Sequence, residues 1–249
     1  MIIHSGTTLV LIFAGFAAGV LNALAGGGPL ITLAALLFTG LDARAANMTS
    51  TIALFPGQIA TGLASLGLLP KANLIPLSVL LMINIGGGMI GAALLLTTPS
   101  GLFAVMVPWL VMVATAIYAW SNFGPQTIGG SPIGSLPFAV AQFVLSIYGG
   151  YFGGGNSFLM LAVLSMAGLA ARDAGGVKNL LIAIINTAAV GVLIFSTSVD
   201  FIKAVMLGTG AITGGMAGVW MLGRINETVL RLFVIAVGTA LTLWLFWLA

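Results

Sequence analysis

The chain opens with an uncharged apolar run from Thr7 to Thr39 that is interrupted by glycines and a proline. This run is much longer than the roughly 20 residues that one helical membrane span requires. In hydrocarbon every backbone N–H and C=O needs an internal partner, so irregular backbone persists only where protein or a polar cavity surrounds it. The stretch Gly26-Gly27-Gly28-Pro29 therefore predicts a helix, a break and a second helix, with Pro29 in the first turn of the second.

A broken helix of this kind is suited to binding an anion. Glycines allow a ligand to approach the backbone closely, and the free N–H groups and positive dipole end of the second helix favour negative charge. The alternative is that the glycines only let helices pack closely, as small residues do in membranes. The stretch by itself leaves both interpretations open.

The break occurs twice, at an offset of 127 residues. Gly153-Gly154-Gly155-Asn156-Ser157 returns at this distance from Gly26, and Gly87-Gly88-Met89-Ile90-Gly91 returns as Gly214-Gly215-Met216-Ala217-Gly218. Paired glycine-interrupted segments at corresponding positions of two halves are typical of transporter substrate sites. We predict two homologous repeats, residues 1–121 and 138–249, joined by a linker at 122–137 that is rich in Gly, Pro and Ser.

Composition places the chain in a membrane, because 4% of its residues are charged and 60% are hydrophobic. Long apolar segments without alternation favour helices over a β-barrel. We predict an all-α integral membrane protein in which each half has one Gly-broken helix or re-entrant pair and three transmembrane helices. Tyr118 and Trp120, at the end of the fourth segment, are predicted anchors at the membrane interface.

Two arrangements of the halves fit this segment pattern. If each broken segment is a re-entrant pair, each half crosses the membrane three times and the second half is inverted. If each is a single broken span, each half crosses four times and the halves are parallel. The positive-inside rule groups the basic residues five against two in either case. We favour inverted repeats, because flipped halves around a central site are a common basis of alternating access.

Several stretches resemble the sulfite exporter family, TauE/SafE. The resemblance covers nearly the whole chain and rests on two four-segment halves, each opening with a Gly-rich break. It is carried by Asn22 to Pro29, Arg44 to Ser50, Gly86 to Ala92, Gly175 to Asn179 and Gly214 to Gly218. The resemblance implies a multi-pass exporter of the bacterial inner membrane for sulfite, sulfoacetate or related organosulfonates. The second break has Asn156 where the first has Pro29, which predicts two unequal half-sites.

A sulfite or sulfonate head carries three oxygens that suit N–H donors at helix N-termini and amide or hydroxyl side chains. We place these donors around the head: Gly27, Gly28, Gly154, Gly155, Asn156 and Ser157. Candidates for the wall of the site are Asn22, Thr49, Ser50, Asn179 and Asn186. Each of these could instead make an ordinary interhelical hydrogen bond, worth about 0.6 kcal/mol on average. Lys178 is the candidate counter-charge, with snorkelling to the headgroups as its alternative.

Other classes of function find little support. The chain has no cysteine, one histidine and four dispersed acidic residues, which disfavours an enzyme, and it has no P-loop. We predict no cofactor and no bound metal. The acidic residues lie at predicted segment ends and offer no buried proton relay, while Na⁺ coupling through carbonyls at the breaks remains open.

The remaining alternatives are an anion channel and a transporter of another small anion or organic acid. We expect partners to be the small anion and the lipid bilayer, not nucleic acid, and the Gly-rich helix faces are compatible with a homodimer.

Overall fold

The computed structural model describes residues 5–24, 27–70, 74–123, 133–221 and 227–248, and this part of the chain is helical with no strand. Gly26, Lys71, Arg224 and residues 124–132 of the predicted linker lie outside it. The α-helices of the described part, in chain order, are α1 (Ser5–Leu24), α2 (Gly28–Phe38), α3 (Ala43–Ala64), α4 (Leu77–Thr97), α5 (Ser100–Phe123), α6 (Ser135–Tyr151), α7 (Asn156–Met166), α8 (Ala171–Leu193), α9 (Phe201–Met221) and α10 (Glu227–Leu248). A short 3₁₀ helix, Leu66–Leu68, follows α3. The prediction of an all-α fold is confirmed.

The helices have the lengths and surfaces of a multi-pass membrane protein. Within the described residues, four stretches are long and apolar enough to cross a bilayer: Leu77–Thr97, Ser100–Trp120, Asp173–Leu193 and Phe201–Gly218. By contrast, α2 and α7 have 11 residues each, or about 16 Å, roughly half of the hydrocarbon thickness. Large apolar side chains such as Phe195 (86% exposed) and Trp247 (82% exposed) lie on the outside, where lipid is their natural solvent.

Small residues let two pairs of parallel helices pack with their backbones in contact. In the α1–α9 pair, a Cβ added to Gly19 would overlap the carbonyl oxygen of Ala211, and one added to Gly15 would overlap that of Leu207. In the α4–α6 pair, a Cβ at Gly150 would overlap the backbone of Gly88. Without a hydrophobic force between helices in lipid, such close approach is what holds them together. The role of Gly88 is therefore to let α4 pack closely against α6.

Helices α3 and α8 cross in opposite directions. Gly62 of α3 faces Ala183 of α8, while Ser65, further along α3, accepts a hydrogen bond from Asn179, which lies earlier in α8. We call the end of the bundle where this hydrogen bond lies the Ser65 end. The opposite end, where α9 begins directly after Asp200, is the Asp200 end.

Helices α5 and α10 are also antiparallel. Trp109 contacts Phe246 edge to face at 5.0 Å, whereas Thr115, later in α5, lies against Gly238, earlier in α10. Tyr118 belongs to this crossing and is 1% exposed. The prediction of an interface anchor at Tyr118 is therefore wrong, because its ring packs inside the protein and not at the membrane surface. Trp120, in contrast, is 69% exposed.

Candidate functional site

The first break turns the chain back beside the helix that precedes it. Gly27 has a φ of +102°, a left-handed conformation that glycine adopts without steric cost, and α2 begins at Gly28. A Cβ on Gly28 would lie 2.8 Å from the carbonyl oxygen of Ala18 and 3.2 Å from the Cβ of Asn22. Asn22 and Gly28 are therefore neighbours, as a shared site requires. The contact with Ala18 also means that α2 starts alongside the last turns of α1.

This first break leaves two amide donors, because the N–H groups of Gly27 and Gly28 make no backbone hydrogen bond within the described residues. Pro29 has no N–H, and the N–H of Leu30 donates to the carbonyl oxygen of Gly27 at 3.1 Å. Thr32, in the first turns of α2, shares a 2.5 Å hydrogen bond with Ser50 of α3 and also donates toward the carbonyl of Pro29. Ser50 is thus close to the break but already has a hydroxyl partner.

The second break is richer in free donors. Gly155 has a φ of +73° and α7 begins at Asn156, the predicted position of a helix N-terminus. Within the described residues, the N–H groups of Gly154, Gly155 and Ser157 make no backbone hydrogen bond, whereas that of Asn156 reaches the carbonyl of Gly153 at 3.3 Å. Free amides at the positive end of a helix dipole favour negative charge, and an anion site at these residues stays a prediction.

Two side chains from outside the motif fix the shape of the second break. The hydroxyl of Tyr148 donates to the carbonyl of Gly154 at 2.6 Å. The side-chain amide of Asn47, on α3, donates to the carbonyl of Tyr151 at 3.0 Å and so satisfies the last residue of α6. The sequence interpretation missed both residues. Tyr148 could have been suspected as a polar aromatic residue close to the break, but nothing local links Asn47 to it.

Both breaks pack on the crossing of α5 and α10. A Cβ on Gly27 would lie 2.8 Å from Cγ1 of Val234 in α10, and one on Gly155 would lie 2.8 Å from the Cβ of Ala114 in α5. Tyr118, one turn beyond Ala114, packs edge to face on Phe158 of α7 at 4.0 Å. The structure thus brings the two glycine motifs to one helix crossing, although they are far apart in sequence.

The other predicted wall residues are spread along α3 and α8. Thr49 accepts a hydrogen bond from the backbone N–H of Asp200 at 3.1 Å and so belongs to the Asp200 end. Asn179 donates to Ser65 at 3.0 Å, at the opposite end. Thr49 and Ser65 are separated by about 24 Å along α3. One compact anion therefore cannot contact Thr49 and Asn179 at the same time.

Asn186 lies in α8 between these extremes, whereas Lys178 directly precedes Asn179 and belongs to the Ser65 end. Asn186 is buried and donates to the carbonyl of Ile182 within its own helix at 2.9 Å. Lys178 is partly buried, and no ion pair or hydrogen bond to its ammonium group occurs within the described residues. A lysine in a membrane helix with no ion-pair partner in the described part of the chain is a functional candidate, and its role as counter-charge stays a prediction.

Helices broken at glycines and placed together in a multi-pass bundle are typical of membrane transporters. Comparison with known proteins agrees with this class. The chain belongs to the family described as Sulfite exporter TauE/SafE, which it matches over residues 11–245.

Curated relatives carry the same general description. A protein named probable membrane transporter protein ORF9 from Sinorhizobium sp. is 27% identical over 217 residues, covering 84% of this chain and 80% of the relative. A probable membrane transporter protein from Haemophilus influenzae is 26% identical over 240 residues, covering 94% of this chain and 92% of the relative. These matches span almost the whole length of each protein, so the transporter assignment applies to the complete helical bundle.

Proposed function

We propose that this transporter exports small sulfur-containing anions, such as sulfite, sulfoacetate or related organosulfonates, across the bacterial inner membrane by alternating access. The observation that carries the proposal is the set of three free amides at Gly154, Gly155 and Ser157. They stand at the N-terminus of α7, where a compact oxyanion is favoured by both donors and dipole. The family's description as sulfite exporters supports the choice of anion.

The second break is the main anion seat in this proposal, and the first is secondary. The N–H of Leu30 is used on the carbonyl of Gly27, whereas that of Ser157, the corresponding residue of the second break, makes no backbone hydrogen bond within the described residues. Lys178 supplies long-range positive charge. Export of an anion from an inside-negative cell is favoured by about 2.3 kcal/mol per charge per 100 mV, so uniport suffices thermodynamically.

Alternating access is supported by the directions of the central helices. The corresponding helices of the two halves, α3 with α8 and α5 with α10, are antiparallel where they meet. We infer that the two halves are inverted with respect to the membrane. Lys178 and Arg231 then lie toward the Ser65 end, and Arg44 and Lys203 toward the Asp200 end. Since Arg172 also lies in the first turn of α8, at the Ser65 end, the positive-inside rule favours that end as the cytoplasmic one in this proposal.

This inverted arrangement can be tested with single cysteines, because the natural chain has none. We expect cysteines at Pro99 and Thr197 to react with a membrane-impermeant maleimide from one side of the membrane. Cysteines at Gly67 and Ala170 should react only from the other side. All four positions are exposed. If Pro99 and Ala170 share one side while Gly67 and Thr197 share the other, the halves are parallel and the inverted arrangement is wrong.

The anion itself is tested by the thermal stability of the purified protein with sulfite, sulfoacetate, taurine, thiosulfate, sulfate, chloride and acetate. A ligand that binds only the folded state stabilises it by about 2.7 kcal/mol at a hundredfold excess over Kd. For a chain of this size we expect sulfite or an organosulfonate to raise Tm by about 5–10 °C at that excess. Equal shifts with chloride and acetate, or a shift with acetate alone, would contradict the sulfur-anion proposal.

Flux measurements then separate a transporter from a channel. In proteoliposomes, a transporter should give saturable sulfite flux that is accelerated by sulfite on the opposite side. A channel would give flux without such trans-stimulation. Flux without trans-stimulation would contradict alternating access. It would not contradict anion binding at the second break.

A further inference from the structure

Tyr148 holds the second break at two points from the last turn of α6. Its hydroxyl donates to the carbonyl oxygen of Gly154 at 2.6 Å. Its backbone carbonyl accepts hydrogen bonds from the N–H groups of Phe152 and Gly153 at 2.9 and 3.2 Å. The backbone bonds end α6, as in any helix, whereas the side-chain bond reaches into the middle of the break.

The bond to Gly154 also sets the direction of the next amide. The peptide bonds of the described residues are all trans. In a trans peptide the C=O of one residue and the N–H of the following residue lie in one plane and point in opposite directions. With the C=O of Gly154 held by Tyr148, the N–H of Gly155 points away from Tyr148. This N–H is one of the three free amides of the proposed anion seat.

The turn that contains this peptide has an alternative form. The N–H of Asn156 donates to the carbonyl of Gly153 at 3.3 Å and closes a β-turn with Gly154 and Gly155 at its centre. Gly155 has a φ of 73° and a ψ of −3°, and the φ of Gly154 is not positive, which is the pattern of a type II turn. Rotating the central peptide by roughly half a turn gives a type I turn, which glycine also adopts and which can keep the same closing hydrogen bond.

The two forms act on an anion in opposite ways. In the observed form the N–H of Gly155 is available to the anion, and the C=O of Gly154 is turned away and paired. In the rotated form this C=O would take the place of the N–H and present the negative end of the peptide dipole. We propose that Tyr148 is a positioning residue of the anion seat, whose hydroxyl holds the Gly154–Gly155 peptide in the anion-binding form. This inference rests on the proposed function.

A further feature of the second break points to a ligand. Asn156 is 3% exposed, and its Oδ1 has no hydrogen-bond partner among the described residues. A buried polar atom without a partner is unfavourable, and a ligand that carries a hydrogen-bond donor, as hydrogensulfite does, can supply one. At the offset of 127 residues, the first break has Leu21 and Pro29 in place of Tyr148 and Asn156. Both features are therefore specific to the second break.

Tyr148→Phe tests this role because it removes one hydroxyl and keeps the ring. Sulfite flux into proteoliposomes is measured over a range of sulfite concentrations for the natural protein and the variant. We expect KM for sulfite to rise about 3–10-fold, since the break then divides between two forms and one hydrogen bond contributes a factor of this order. The maximal rate per folded protein should stay within about twofold of the natural rate, because the anion-binding form is still reached.

Tyr151→Phe is the matched control. Tyr151 is the last residue of α6, but its hydroxyl lies 3.3 Å from that of Thr98 and 3.6 Å from the sulfur of Met106 and does not contact the break. This variant should keep the natural KM. If Tyr148→Phe lowers the maximal rate and leaves KM unchanged, its hydroxyl is merely structural and the proposal is overturned. Equal rises of KM in the two variants would overturn it as well.

The results separate this inference from the anion proposal. If sulfite stabilises the natural protein and is transported by it, but Tyr148→Phe keeps the natural KM, the anion proposal stands and the role of Tyr148 is wrong. If the natural protein shows neither stabilisation nor saturable flux with any anion of the panel, the proposed function is wrong and the role of Tyr148 is wrong with it.

Discussion

Replacing Gly155 with leucine is expected to abolish stabilisation by sulfite and to lower sulfite flux by about 100-fold or more, since misplaced binding groups have effects of that order. Gly155 has a φ of +73°, which costs an L-residue with a Cβ about 1–2 kcal/mol. Its Cβ would also lie 2.8 Å from the Cβ of Ala114, and overpacking of this kind costs about 1–3 kcal/mol. The break must then move, and the free amides of Gly154 and Ser157 move with it.

Gly86→Leu is the control for this experiment, because a Cβ at Gly86 meets no atom within 4 Å. Gly86→Leu should keep both the thermal stabilisation by sulfite and the sulfite flux of the natural protein. If Gly155→Leu does not fold, Ala114→Gly in the same chain removes the nearest obstacle, and the double variant is tested in its place. Should Gly155→Leu and Gly28→Leu both fold and transport normally, the breaks serve packing and the proposed seat is wrong.

Replacing Arg44 with leucine is expected to lower the free energy of unfolding by about 2–4 kcal/mol, because hydrogen bonds from a charged donor contribute about 1.5–3 kcal/mol each. Its guanidinium donates to the carbonyl oxygens of Leu96 at 3.1 Å and Thr98 at 2.9 Å, at the end of α4. It also reaches the hydroxyl of Ser198 at 3.4 Å, before α9. One side chain thus joins three segments at the Asp200 end and satisfies the last carbonyls of a helix.

Lys203→Leu provides a matched loss of one positive charge. Lys203 pairs with Asp200 at 3.3 Å near the surface, a kind of ion pair worth about 0–1 kcal/mol. Arg44→Lys should recover only part of the lost stability, since an ammonium group lacks the planar fork that reaches several acceptors. The free energy of unfolding of all three variants is measured in mixed micelles of a mild detergent and sodium dodecyl sulfate. A change for Arg44→Leu no larger than that for Lys203→Leu would show that Arg44 acts on topology alone.

The sequence was most informative where structure depends on neighbouring residues. Gly27 and Gly155 adopt left-handed conformations, and a helix follows each of them, as the glycine motifs predict. Asp42, one of the acidic residues predicted at segment ends, accepts hydrogen bonds from the N–H groups of Arg44 and Ala45 and caps the start of α3. These features follow from the conformational freedom of glycine and from local hydrogen bonding.

The sequence was least informative where contacts join distant helices. Tyr118 was predicted at the membrane interface, but Phe158 of α7 packs against its ring and buries it. Asn47 caps α6 from α3, a contact across 104 residues. Thr49 and Asn179 looked alike as polar residues of membrane helices, yet they lie at opposite ends of the bundle. Hydropathy indicates that a residue lies in a membrane helix, but it does not indicate which residues of other helices it contacts.

By itself, the sequence determined the helical membrane class, the two breaks and the family resemblance, because the bilayer requires internally hydrogen-bonded backbone and glycine interrupts it. The division into repeats 1–121 and 138–249 stays a prediction. Only the tertiary structure decided which amides of the breaks stay free, since the N–H of Leu30 reaches a carbonyl oxygen and that of Ser157 does not. It alone placed Asn84 beside Ser146, because that contact needs two helices far apart in the chain to pack at one register.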